Sequence, residues 1–247
     1  MLTRSVRCLL LLQLIYCCNV SQADTTKSKD KSVAHTPLVK KIAPHIYQIG
    51  IITFNKETRE IYIPAQTNIT DPGAVIEYLL VHSNGEKIHE SLLTTAADPT
   101  HINIALKLLN YKESQELFRI RDEKGFFTEK YPIVADDIKK AARFEILITS
   151  ADENKEKTIP ITNWIYNQAT EQNMIPVPWI YNGSFIHKKA FNAKLTGSII
   201  AIYPNSGAIA NYSGDDRSDD SLWAPSKNTP EQGTSVKVIL KPWAPVP

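Results

Sequence analysis

Cysteine is scarce and confined: three residues, Cys8, Cys17 and Cys18, in a chain of 247. The segment that holds them has the order of a secretory signal. Arg4 and Arg7 precede an apolar run from Cys8 to Tyr16, and Ser21-Gln22-Ala23 forms a small-x-small cleavage pattern before Asp24. Removal of residues 1–23 leaves 224 residues with no thiol. Such a product forms no disulfide, iron–sulfur cluster or zinc–thiolate site. It must hold itself by packing, which a chain of this size with 43% hydrophobic residues supports. Long apolar runs are lacking too. A membrane-spanning helix needs roughly 20 apolar residues, so no transmembrane segment is expected after cleavage. The expected location is periplasmic or extracellular. A lipoprotein anchor through Cys17 or Cys18 is the lesser alternative, because Tyr16 and Cys17 are bulky for the residue that precedes a lipidated cysteine. Basic excess is absent as well: loss of two arginines and no acid leaves 26 basic against 26 acidic side chains. Without an electrostatic footprint for a phosphate backbone, nucleic acid is not an expected partner.

What is present is a polar leader, residues 24–37, followed by short runs rich in Ile, Val, Tyr and Phe. The leader cannot repay its ordering entropy and reads as disordered. The runs His45 to Phe54 and Glu60 to Ala65 flank a turn at Asn55-Lys56-Glu57-Thr58. Ala74 to Ser83 and Glu86 to Thr94 flank Asn84-Gly85, the dipeptide suited to a type I′ hairpin. In that register Val81 faces Ile88, Leu80 faces His89 and Leu79 faces Glu90. One face then carries Tyr78, Leu80, His82, Lys87, His89 and Ser91. Asp98-Pro99 caps a helix that extends to about Asn110, with Ile102, Ala105, Leu106 and Leu109 at helical spacing. Further strands are expected at Leu117 to Ile120, Phe126 to Ile133, Ala142 to Thr149, Ser198 to Tyr203 and Ser235 to Leu240. A helical turn is expected around Trp164, and Asp152-Glu153-Asn154 reads as a solvated turn. Fifteen prolines punctuate the runs and argue against long helices. The expected fold class is α+β: β-rich antiparallel hairpins with one principal helix packed on the sheet. It forms a single domain over 38–247, with room for two subdomains meeting near 150–160.

The hairpin register sets His82 and His89 on one face at a diagonal, and His101 joins them if the helix packs there. Three imidazoles around an open position suit a catalytic zinc; structural histidines or a pH-sensitive pair are the alternatives. The H-E-x-x-H pattern itself fails, because its fifth position is Leu93. Glu90, if its face is core, needs a partner: backbone amides or an arginine such as Arg119 or Arg143, or else it is an acid of raised pKa. No nucleophile elbow, P-loop or dinucleotide fingerprint occurs. The acidic run Asp215, Asp216, Asp219, Asp220 fails as an EF-hand, with Ser221 in place of glycine and Lys227 in place of glutamate. That leaves Asp216 and Asp220 as a looser calcium candidate. Trp164, Trp179, Trp223 and Trp243 serve either packing or sugar stacking. Asn68, Asn182 and Asn211 begin glycosylation sequons.

The strings Arg59 to Asn68, Gly73 to Val81, Gly85-Glu-Lys-Ile-His-Glu-Ser-Leu-Leu93 and Asp98 to Leu109 together resemble the YdjY-type domain of exported bacterial proteins, of the planctomycete and verrucomicrobial type. Pro178 to Ser184, Gly197 to Ala201, Ser221 to Pro225 and Gly233 to Pro242 are similar to the second half of the same proteins. The resemblance implies no catalytic residues. The iron–sulfur cluster described for some relatives cannot transfer to a thiol-free chain. The expected role is a non-enzymatic binding or assembly module of the cell envelope, with no cofactor and with an envelope protein or glycan as partner. Two alternatives stand beside it: an extracytoplasmic hydrolase or metal-dependent enzyme using His89, Glu90 and His101, and a glycan-binding module with exposed tryptophans.

Overall fold

The longest alternating runs of this chain pair with one another across large sequence separations, and that pairing decides the architecture. The computed structural model describes residues 38–150 and 157–244. The segments expected to be a signal (1–23) and a polar leader (24–37), all three cysteines and the turn expected at Asp152-Glu153-Asn154 lie outside the described residues. In chain order the strands are β1 (Val39–Ala43), β2 (Ile46–Ile49), β3 (Ile52–Asn55), β4 (Glu60–Thr67), β5 (Tyr78–His82), β6 (Ser91–Thr95), β7 (Arg143–Ser150), β8 (Ile159–Pro160), β9 (Ile165–Asn167), β10 (Gln172–Asn173), β11 (Trp179–Tyr181), β12 (Ile186–His187), β13 (Ala190–Phe191), β14 (Ser198–Ala201), β15 (Ala210–Tyr212), β16 (Trp223–Pro225) and β17 (Ser235–Pro242). Three short α-helices join them among the described residues: α1 (Pro99–Leu108), α2 (Asp136–Ala142) and α3 (Asn192–Thr196).

Strands β4, β17, β7, β11, β15, β14, β5 and β6 follow one another round a ring, and β6 pairs back onto β4 to close it. The fold is thus a closed eight-stranded barrel of mixed direction. β14–β15 and β5–β6 are parallel, and the other pairs are antiparallel. This overturns the expected antiparallel hairpin sheet with one principal helix. The last strand, β17, lies between β4 and β7 and pairs along nearly its full length with both. Outside the ring, β1, β2 and β3 continue from one edge of β4 as an antiparallel ribbon, and β9, β10 and β16 form a separate small sheet.

Side-chain alternation explains which face of each strand is core. On β4, Ile61, Ile63, Ala65 and Thr67 are buried, while Pro64 and Gln66 are exposed; on β17, Val236, Val238 and Leu240 are buried and Lys237 is exposed. By contrast β5, β11, β14 and β15 are buried almost throughout. Their outer faces are covered by other segments: Leu117 and Phe118 lie on Ile180, and Ile88 and Ala208 lie with Val81 and Ala201. The α1 helix forms where the sequence places it, with Asp98 Oδ1 accepting from Thr100 N at 2.8 Å. It contributes Ile102, Ala105 and Leu106, with Leu109 at its C-cap, to the same core as Ile63, Ile146 and Val238.

The Asn84-Gly85 hairpin does not form. β5 and β6 pair in parallel, Tyr78 with Ser91 and Leu80 with Leu93, so the eight residues between them cross over. The reason lies in a close backbone approach. His82 N donates to Gly197 O at 2.8 Å and Glu86 N to Thr196 O at 2.9 Å, seating the loop on the end of α3. A Cβ on Gly85 would come within 3.1 Å of Thr196 O and 3.2 Å of Gly197 Cα. The glycine serves that contact, where no side chain fits. The return of the loop is a 3₁₀ turn, Ile88–Glu90, held by Asn68 Nδ2 donating to Ile88 O at 2.6 Å and Ser91 O at 2.8 Å.

Two other sequon asparagines are core residues. Asn211 Nδ2 donates to Asn182 Oδ1 at 2.7 Å, and Asn182 Nδ2 donates to Ala208 O at 2.9 Å. Asn205 N donates to Asn211 Oδ1 at 2.7 Å. Buried amides so engaged specify how β11, β15 and the loop before β15 meet, and their nitrogens are inaccessible to glycosylation.

Candidate functional site

The parallel pairing of β5 and β6 sets the Glu77 side chain directly against that of Glu90, where the hairpin register puts the two on one face with Leu79 opposite Glu90. Glu77 N donates to Glu90 O at 2.9 Å, and the two carboxyl groups share a hydrogen bond. Lys87 Nζ and His89 Nε2 each approach Glu90 at 2.9 Å. The partners of Glu90 are therefore Lys87, His89 and Glu77, and the expected backbone amides, Arg119 or Arg143 are not among them. Burial and the bond to Glu90 raise the Glu77 pKa. Burial also acts to raise Glu90, but the hydrogen bonds from Lys87 and Glu77 outweigh it and the pKa is lowered.

His82 and His101 have other surroundings. His82 Nδ1 accepts from Asn84 N at 3.1 Å, and the His101 ring packs against Gly50 in the turn between β2 and β3. Asp220 adds its charge to the surroundings of Glu77, whereas Asp216 lies by the Tyr212 phenol. Among the described residues no group of three or more His, Cys, Asp or Glu side chains is placed to hold a metal ion. Three of the tryptophans, Trp164, Trp179 and Trp223, are buried, which removes them as exposed sugar platforms.

A more open site arises from the segment after α1. Ser114 N donates to Tyr181 O at 2.9 Å and fixes the chain to β11. Leu117 and Phe118 then pack on Ile180 and Ala142, and the chain leaves the surface as an arm. The expected strands here reduce to a single bridge, Arg121 with Phe127, reinforced by Ile120 N donating to Lys130 O and Thr128 N to Ile120 O, each at 2.8 Å. The base of the arm, the loop after β14 and Arg217 enclose a groove of about 540 Å³. Arg119, Arg121 and Arg217 line it, three of the five arginines among the described residues, together with the rings of Phe127, Tyr131 and Tyr203.

No carboxylate lines the groove. Arg121 lies 3.8 Å over the Phe127 ring and donates to Gly125 O at 2.7 Å. Arg119 reaches Glu129 at 3.2 Å and bonds the Tyr131 phenol. Arg217 donates to Gly214 O at 2.9 Å. Each guanidinium carries five N–H donors, so donors remain beyond these contacts. The arrangement can hold a carboxylate or phosphate between apolar walls. Beyond the groove the arm exposes Phe126 (68%) and Ile133 (103%). Sequence reasoning missed this site because its three arginines are 98 positions apart at the extremes. The local signal was the alternation Phe118-Arg119-Ile120-Arg121.

Among the described residues no helix is long and apolar enough to cross a membrane. No curated protein and no solved structure shows a significant match to the chain. The family model of the YdjY domain matches residues 52–241, from β3 through β17. The chain belongs to the YdjY domain family.

Proposed function

We propose that this protein is an exported, non-enzymatic assembly module of the cell envelope that docks an acidic, partly apolar segment of another protein in the arginine-lined groove. The observation that carries the reading is the convergence of Arg119, Arg121 and Arg217 with three aromatic rings on one groove, where Glu129 and Asp215 pair with Arg119 and Arg217 from outside the lining. Arginine and large aromatics are the residue types that concentrate binding energy at protein interfaces. Phe126 and Ile133 of the adjoining segment supply further apolar surface that the described residues leave exposed. Export rests on the order of charge, apolar run and cleavage pattern in residues 1–23.

Fluorescence polarisation with a labelled peptide alternating glutamate with leucine and phenylalanine tests the docking. Binding is expected at low ionic strength, weakening as salt is raised. Arg121→Ala and Arg217→Ala should each lower affinity about tenfold. Absence of binding at every salt concentration, or binding indifferent to both substitutions, rejects the reading.

A further inference from the structure

The small sheet formed by β10, β9 and β16 carries a second concave surface that shares no residue with the groove. Tyr166 is its central outward side chain. Opposite it on one neighbour is Asn173 and on the other Ala224, whose single methyl group cannot cover a phenol ring. Pro72, Pro225, Lys227 and Asn228 complete a cavity of about 510 Å³ around that ring. The wall bearing Lys227 and Asn228 is held in place before any ligand arrives. Ser226 N donates to Trp164 O at 2.9 Å, Ser226 Oγ to Asn163 O at 2.8 Å, and Asn228 N to Ser226 Oγ at 3.1 Å.

Four polar groups at this cavity have no partner among the described residues: the Tyr166 hydroxyl, the Asn173 and Asn228 amides and the Lys227 ammonium. Each amide both donates and accepts, the phenol does the same, and the ammonium donates only. An aromatic face ringed by such groups is complementary to a pyranose, which offers a C–H face to stack and hydroxyls at its rim. Pre-formed, partly apolar pockets with a few convergent polar groups are the usual form of small-ligand sites. One cation and no carboxylate in the lining select a ligand with a single acidic group per unit. A proline-rich peptide fits less well, because such ligands lie across aromatic rings in series and Tyr166 is the one aromatic side chain lining the cavity.

We infer that this cavity is a sugar-binding subsite for a pyranose bearing a carboxylate, stacked on Tyr166, with its hydroxyls on Asn173 and Asn228 and its acid on Lys227. Calorimetry and saturation-transfer NMR on the full chain, with trigalacturonate as the probe and uncharged maltotriose beside it, test this. Trigalacturonate should bind, and Tyr166→Ala should weaken it about tenfold while Tyr166→Phe stays within about threefold. Lys227→Met should weaken it about fivefold and abolish its salt dependence. Lys139→Ala, on α2 and outside both the cavity and the arginine groove, should leave it unchanged. No binding at sugar concentrations up to about 10 mM overturns the inference. So does maltotriose binding as tightly as trigalacturonate, or binding that survives both Tyr166→Ala and Lys227→Met.

Discussion

At the scale of single residues, charge and contact each make a prediction that the local sequence pattern alone would get wrong. Glu77 holds a raised pKa beside Glu90, so the stability supplied by their shared proton is present at low pH and lost as pH rises through that value. Glu77→Gln removes the second charge. Its melting temperature should exceed that of the unsubstituted protein at pH 8 and equal it at pH 4; identical melting at pH 8 would show that the pair shares no proton. Gly85 answers to contact. Gly85→Ala should cost about 1–3 kcal/mol, because its Cβ meets backbone of α3 and the following glycine, which cannot move cheaply. Asn84→Ala should change stability by less than about 0.5 kcal/mol, since that exposed side chain makes no contact that holds the fold. A type I′ turn would have made both costly, so urea titration of the two variants separates the structures.

At the scale of elements, α1 shows a boundary set by chemistry readable in the chain. Asp98 accepts from Thr100 N and receives Lys194 Nζ at 2.7 Å, tying α1 to α3. Burial acts to raise its pKa, but the bonds from Lys194 and Thr100 bring it below the ordinary value. The stability it confers is therefore full above the unfolded carboxylate pKa and lost as pH falls through the lowered one. Asp98→Ala should cost about 1 kcal/mol at pH 7. Asp98→Asn, which keeps the cap acceptor and drops the ion pair, should cost less. Chemical denaturation at pH 7 and near pH 3 checks both the order and the disappearance of the Asn variant's deficit in acid. The arm from Leu117 to Tyr131 is the opposite case. Its alternating apolar residues read as strands, yet among the described residues their pairing reduces to the Arg121–Phe127 bridge, so Leu117 and Phe118 pack on the barrel while Ile120, Phe126, Phe127 and Tyr131 stay exposed.

At the scale of the whole molecule, closure depends on the last strand and on a narrow seam. β17 bridges β4 and β7, whereas β6 meets β4 only through Gln66–Thr94 and Thr67–Leu93. A chain ended after Gln232 lacks the strand between β4 and β7 and should show no cooperative melting by circular dichroism. Ile146→Ala, 2% exposed on the barrel's inner face, should cost about 2–5 kcal/mol in the full chain.

Alternation along β4, β7 and β17, the Asp98-Pro99 cap and the turn at Asn55–Thr58 are local facts, and the sequence by itself determined them. So too were the lack of thiols after position 18 and the family resemblance. Strand partners were not, because period-two patterning states which face is apolar but not which edge it pairs with. The Asn84-Gly85 dipeptide illustrates the limit: its local preference for a hairpin lost to hydrogen bonds with α3, 110 positions away. Closure into a barrel, the Glu77–Glu90 pair, the arginine groove and the Tyr166 cavity are products of tertiary structure alone. Each gathers side chains from segments whose separation only long-range burial and backbone pairing could remove.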